Sequence, residues 1–99
     1  MKILIVEDDP FTRSTLAGAL SHEGVEVALS TGSAGEAMEF VKNQVVDAAL
    51  LDLDLGIGPT GLDLAHALRR RLPEVGLVLL SSFADRKSTR LNSSHVALS

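Results

Sequence analysis

Three carboxylates stand where two short apolar runs end. Glu7 and Asp8 follow Ile3-Leu4-Ile5-Val6, and Asp52 follows Ala48-Ala49-Leu50-Leu51. If the two runs are neighbouring strands, the three groups converge at one edge of a sheet. Like charges held that close repel unless a proton or a cation neutralises them. A hard divalent cation suits such a cluster. Mg2+ takes oxygen ligands, accepts one or two carboxylates, and keeps waters that phosphate oxygens can displace. One carboxylate can do more than bind. An Asp can attack a phosphoryl donor and become an aspartyl phosphate, and a metal would neutralise and align the transferring group. Asp52 is the natural nucleophile, because it arrives alone from its strand. The competing reading is a solvated loop and a helix cap. It is preferred for Asp9, whereas placement at two strand ends favours the chemical reading for Glu7, Asp8 and Asp52.

Positioning these groups requires a particular scaffold, and the sequence predicts one. Ile3 to Val6 is a first strand. Asp9-Pro10 then opens a helix, with Asp9 as cap and Pro10 at the first helical position. The helix runs to about His22, with Phe11, Leu16, Ala19 and Leu20 expected to face inward, and Gly24 ends it. Val25 to Leu29 is a second strand. Ser33 followed by Glu36 forms a capping box, and Ala34, Ala37, Met38 and Val41 continue at helical spacing. Ala48 to Leu51 is the third strand, with Asp47 leading into it. Thr60 with Asp63 is another capped start, and Leu64, Ala65, Leu68 and Leu72 give a third helix that Pro73 stops. Leu77 to Leu80 is the fourth strand. Such alternation implies an α/β fold, a doubly wound parallel sheet covered by helices on both faces. Strands one, three and four are continuously apolar, as buried parallel strands are. The second carries Glu26 and belongs at an edge. An order of 2-1-3-4 puts it there. The same order sets the ends of strands one and three side by side, at the switch point where open α/β sheets bind ligands.

Composition narrows the field. Ninety-nine residues make at most one small domain. There are no cysteines, so no disulfide or thiolate-metal site exists. Met1-Lys2 leads directly into a short apolar run, with no secretory pattern and no stretch of membrane-spanning length. A cytoplasmic protein is expected. Net charge is −4 and aromatics are limited to Phe11, Phe40 and Phe83, which argues against nucleic-acid binding by this segment. Arg69, Arg70 and Arg71 fall at a helix C-terminus, where cations complement the dipole and stay solvated. His22 and His66 are read as helix-surface residues without a metal-spaced partner.

Taken together, ILIVEDDP, LLDLDLG, a G-x-D-L helix start and LVLLSS resemble the response-regulator receiver family, CheY-like in type, over residues 1–84. The resemblance implies a flavodoxin-like sheet of order 2-1-3-4 with the fifth βα unit missing. It implies that Asp52 is the phosphoacceptor of a two-component response regulator, receiving a phosphoryl group from a sensor histidine kinase with Mg2+ as cofactor. Asp8 would bind the metal directly, Glu7 directly or through water, and Asp54 through its backbone carbonyl. Ser81 matches the hydroxyl residue that contacts the phosphoryl group and switches. Such a domain is not an enzyme beyond its own aspartyl phosphorylation, and a parent protein can carry a C-terminal output domain.

Two departures accompany the resemblance. The loop before Gly61 is one residue longer than is usual, and the family's fifth strand, ending in a Lys, is missing. Lys87 cannot stand in, because no apolar strand precedes it. Residues 85–99 carry three Lys/Arg against one Asp, whereas the rest is acidic. The run DRKSTRLNSSH is what a widely used sequencing-library adapter gives on translation, so residues 85–99 read as a non-native tail fused to a partial receiver domain. A bare fourth strand would make the chain prone to aggregation. Two other functions compete. One is a pseudo-receiver that binds proteins without being phosphorylated, against which Glu7, Asp8 and Asp52 argue. The other is a small nucleotide-binding α/β protein, for which Gly56, Gly58 and Gly61 spell G-x-G-x-x-G. That pattern follows the third strand rather than the first, and Pro59 removes an N–H where phosphates would dock.

Overall fold

The computed structural model describes residues 1–53 and 61–80. Their elements are β1 (Lys2–Val6), α1 (Pro10–His22), β2 (Glu26–Thr31), α2 (Ala34–Val41), β3 (Ala48–Asp52), α3 (Gly61–Arg71) and β4 (Gly76–Leu80). The four strands form one parallel sheet of order β2-β1-β3-β4, as the burial pattern of the sequence requires. Val6 pairs with Leu51 across β1 and β3, so the next residues, Glu7 and Asp52, leave the sheet as neighbours. The β1–β3 pair is pinned at its other end. Asp47 accepts the Lys2 N–H on Oδ2 at 2.7 Å and returns its own N–H to the Lys2 carbonyl at 2.8 Å. Leu4, Val6, Ala49 and Leu51 are fully buried between the layers, packed with Ala37, Val41, Leu64 and Leu68 from α2 and α3.

Local turn chemistry sets the helix ends. Asp9 accepts the Thr12 N–H at 2.9 Å and the Thr12 hydroxyl at 2.6 Å, which holds its carboxyl below the ordinary range. At the other end of α1, Gly24 adopts φ +89°. Its N–H reaches the Ser21 carbonyl, and the Val25 N–H reaches the Leu20 carbonyl, both at 3.0 Å. This is a Schellman closure, which needs a left-handed residue after the cap. Gly24→Ala is therefore expected to lower stability by about 1 kcal/mol, read as a lower urea midpoint at unchanged slope.

Expectations change at several points. Phe11 is 80% exposed and Ala19 is exposed; Leu16 and Leu20 face inward as read, joined by Arg13 and Ala17 in a stripe at i, i+3, i+4 and i+7. The apolar run of β4 is only half-buried, with Val78 39% exposed, which agrees with the bare fourth strand expected: among the described residues β3 alone pairs with it. The capping box closes on one side only. Ser33 Oγ accepts the Glu36 N–H at 3.1 Å, but the Glu36 carboxylate takes the Thr31 hydroxyl, and Thr31 Oγ1 accepts the Ser33 N–H instead. The basic run also reaches beyond its own helix. Arg69 donates to the carbonyls of Pro73 and Val75, and Arg71 to those of Val41 and Lys42, tying the end of α2 to α3. His22 and His66 are exposed, as read.

Candidate functional site

The C-terminal ends of β1 and β3 assemble the site. Glu7, Asp8 and Asp52 each offer a carboxylate oxygen, and these atoms lie within 4.8 Å of one another. Among the described residues this is the only group of three acidic or metal-ligating side chains so placed. Glu7 and Asp52 are buried, at 8% and 6% exposure, and Asp8 faces solvent. Burial and repulsion leave their mark on Glu7, whose pKa is raised to about 7. Loss of solvent is the largest cause, and the nearby Asp52 and Asp8 carboxylates add to it. The Asp9 N–H, which donates to Glu7 Oε2 at 3.1 Å, acts in the opposite direction.

The same three groups suit a cation better than a proton. All donors are hard oxygens, the cluster is half open, and one ligand already resists ionisation in its absence. The residues present therefore fit a bound Mg2+. Asp54 and Ser81, the two further positions expected from the sequence, lie outside the described residues, as do Gly56, Gly58, Pro59, Thr60, Lys87 and the segment 85–99. The loop's last glycine is placed. Gly61 opens α3 directly against the end of β3, and its N–H donates to the Leu53 carbonyl at 3.3 Å. This approach to Asp52 carries no signal in residue type beyond the glycine itself. Sequence reasoning also missed Arg13, whose Nη1 donates to the Glu7 carbonyl at 2.8 Å.

A doubly wound parallel sheet with an acidic cluster at its switch point defines the class. The chain belongs to the response regulator receiver domain family, whose sequence profile matches residues 3–95. The TorCAD operon transcriptional regulatory protein TorR of Escherichia coli (strain K12) is 40% identical over 84 residues, covering 85% of this chain and 35% of that protein. The photosynthetic apparatus regulatory protein RegA of Rhodobacter capsulatus is 37% identical, covering 82% of this chain and 43% of that one. The chain thus spans well under half the length of these relatives. Among solved structures, response regulator protein TrrA from Thermotoga maritima in complex with Mg2+-BeF matches with a TM-score of 0.75 and 28% identity, covering 84% of this chain and 70% of that one. A CheY-like receiver domain protein from Methanospirillum hungatei matches with a TM-score of 0.77 and 27% identity, over 85% and 66% of the two chains. The chain is therefore a receiver domain of two-component signalling. No described helix is long and apolar enough to cross a membrane.

Proposed function

We propose that this domain accepts a phosphoryl group from a histidine kinase onto Asp52, with Mg2+ held by Glu7 and Asp8. The observation that carries the reading is the convergence of three carboxylates within 4.8 Å at adjacent strand ends. An Asp52 oxygen attacks phosphorus, a new O–P bond forms, and the bond from phosphorus to the donor nitrogen breaks. The bound cation supplies charge neutralisation for the transferring oxygens. Glu7 and Asp8 orient it, and burial of Asp52 against β1 and β3 keeps the nucleophile aligned. The Asp54 backbone carbonyl completes the metal set in this reading. The Ser81 hydroxyl meets the new dianion and passes the change to the end of β4. A C-terminal output domain belongs to the same reading of the longer parent protein.

The test is incubation with Mg2+ and a small phosphodonor, followed by intact mass. One phosphoryl adduct is expected, lost in Asp52→Asn and in EDTA. Absence of an adduct on the wild-type chain would favour a pseudo-receiver that only binds proteins. Nucleotide-dependent thermal stabilisation without an adduct would favour the nucleotide-binding reading.

Residues 85–99 are proposed as a non-native tail on a partial receiver, residues 1–84. The family match runs to residue 95, so it does not mark this boundary. The support is the run DRKSTRLNSSH, which coincides residue for residue with a translated adapter. Resequencing the source genomic DNA beyond the Ala84 codon tests it, and a genome that encodes the tail refutes it.

A further inference from the structure

We propose that Arg13 is a positioning residue for the acidic site, holding the Glu7–Asp8 turn in its cation-binding conformation. The inference rests on the reading of Glu7 and Asp8 as metal ligands. Arg13 lies on the sheet-facing stripe of α1, a place where an apolar side chain would ordinarily pack. Its guanidinium reaches back across the turn and donates Nη1 to the Glu7 carbonyl at 2.8 Å. The Glu7 N–H is tied as well, to the Thr31 carbonyl of β2 at 2.9 Å, and Glu7 Oε2 takes the Asp9 N–H. The N–H, the carbonyl and the carboxylate of Glu7 are thus each held, by β2, by Arg13 and by the turn at the head of α1. Arg13 holds the backbone carbonyl from a side chain, with a charged donor stronger than a neutral one.

Space for this contact comes from Gly32. A Cβ on that residue would stand 2.8 Å from Arg13 Nη1, 3.3 Å from Asp8 Cα and 3.5 Å from the Glu7 carbonyl oxygen. A side chain at residue 32 would crowd the guanidinium, and the bare α-carbon leaves it room. Two positions far apart in sequence, one on α1 and one after β2, serve the same peptide of the metal-binding turn. Without the Arg13 donor, the Glu7–Asp8 peptide is free to rotate and the two carboxylates lose their fixed relation to Asp52. Groups that orient metal ligands in this way are worth roughly tenfold or more in metal affinity when removed.

The experiment is Mg2+ titration of the metal-depleted full chain by calorimetry, with phosphorylation by a small phosphodonor measured across Mg2+ concentrations. Arg13→Met keeps the aliphatic stem and removes the donors. Gly32→Ala crowds the guanidinium and presses on Asp8 Cα as well, so it supports the Arg13→Met result and does not replace it. Each is expected to weaken Mg2+ binding roughly tenfold, to raise the Mg2+ needed for half-maximal phosphorylation equally, and to leave the rate at saturating Mg2+ near wild type. Arg13→Lys, with one donor, should recover part of the loss. A merely structural arginine would lower the urea midpoint in EDTA and leave Mg2+ affinity alone, which would overturn the proposal. So would wild-type affinity in Arg13→Met, or, if that variant does not fold, in Arg13→Lys and Gly32→Ala together. Failure of the wild-type chain itself to bind Mg2+ would instead remove the reading of the acidic site, and this inference with it.

Discussion

Replacing Gly61 with alanine is expected to cost about 3 kcal/mol or more and to abolish phosphorylation, although one methyl group is the whole change. A Cβ built there would fall on the Asp52 carbonyl oxygen and 2.7 Å from both the Asp52 carbonyl carbon and the Leu53 Cα. Every one of these neighbours is backbone, so no side chain can rotate away. Either α3 moves off the sheet, opening the packing of Leu64 and Leu68, or β3 shifts and takes the Asp52 carboxylate with it. A domain of this size has roughly 5 kcal/mol of stability at the lower end of the usual range, so the loss consumes most of it. Gly18→Ala supplies the control. It makes the same chemical change inside α1, at a position where nothing lies within 4 Å. Relief of glycine's backbone entropy there should stabilise the protein by about 0.5–1 kcal/mol. Urea unfolding of the two variants should move in opposite directions. A Gly61→Ala midpoint at or above wild type would show that α3 does not need this close approach.

The contrast between these glycines marks where sequence reasoning succeeds and where it stops. Strand order was legible because Glu26 singles out an edge strand and the other runs are apolar throughout. Given that order, the meeting of Glu7 and Asp8 with Asp52 followed from parallel register alone. Caps were legible too, since Asp9, Ser33 and Gly24 each bond a residue three positions away. What depended on the distance between separate elements was not legible. Hydrophobicity assigned Phe11 to the inner face of α1, but the helix lies on the sheet with Arg13 inward. Phe11, two residues earlier, is rotated away from that stripe. The arginines of α3 were likewise read from their own helix. Their partners are carbonyls on α2 and on the turn into β4, which no local rule indicates.

Metal-free stability is expected to fall as pH rises through the range where Glu7 loses its proton. Its pKa stands at about 7 in the folded chain against an ordinary 4.5. Between those values the native state holds a proton that the unfolded state has released. Stability rises with pH only where the unfolded state binds more protons, so here it declines from about pH 4.5 to 7 and the loss is complete above. The decline attributable to Glu7 should be of the order of 3 kcal/mol. Glu7→Gln removes the ionisation while keeping the size of the side chain. In EDTA, the stability difference between Glu7→Gln and wild type should therefore grow in the variant's favour over that interval and level off above pH 7. Mg2+ should reverse the ranking. A cation replaces the proton among the three carboxylates, so Mg2+ should stabilise wild type more at pH 8 than at pH 5 and release up to one proton on binding below pH 7. Glu7→Gln should gain much less from Mg2+ at any pH. Urea unfolding at several pH values, with EDTA and with saturating Mg2+, measures all of these. A difference between variant and wild type that stays flat from pH 5 to 7.5 would mean that Glu7 ionises normally beside Asp52. The carboxylates would then lack the mutual strain that makes the metal-free site receptive to a divalent ion.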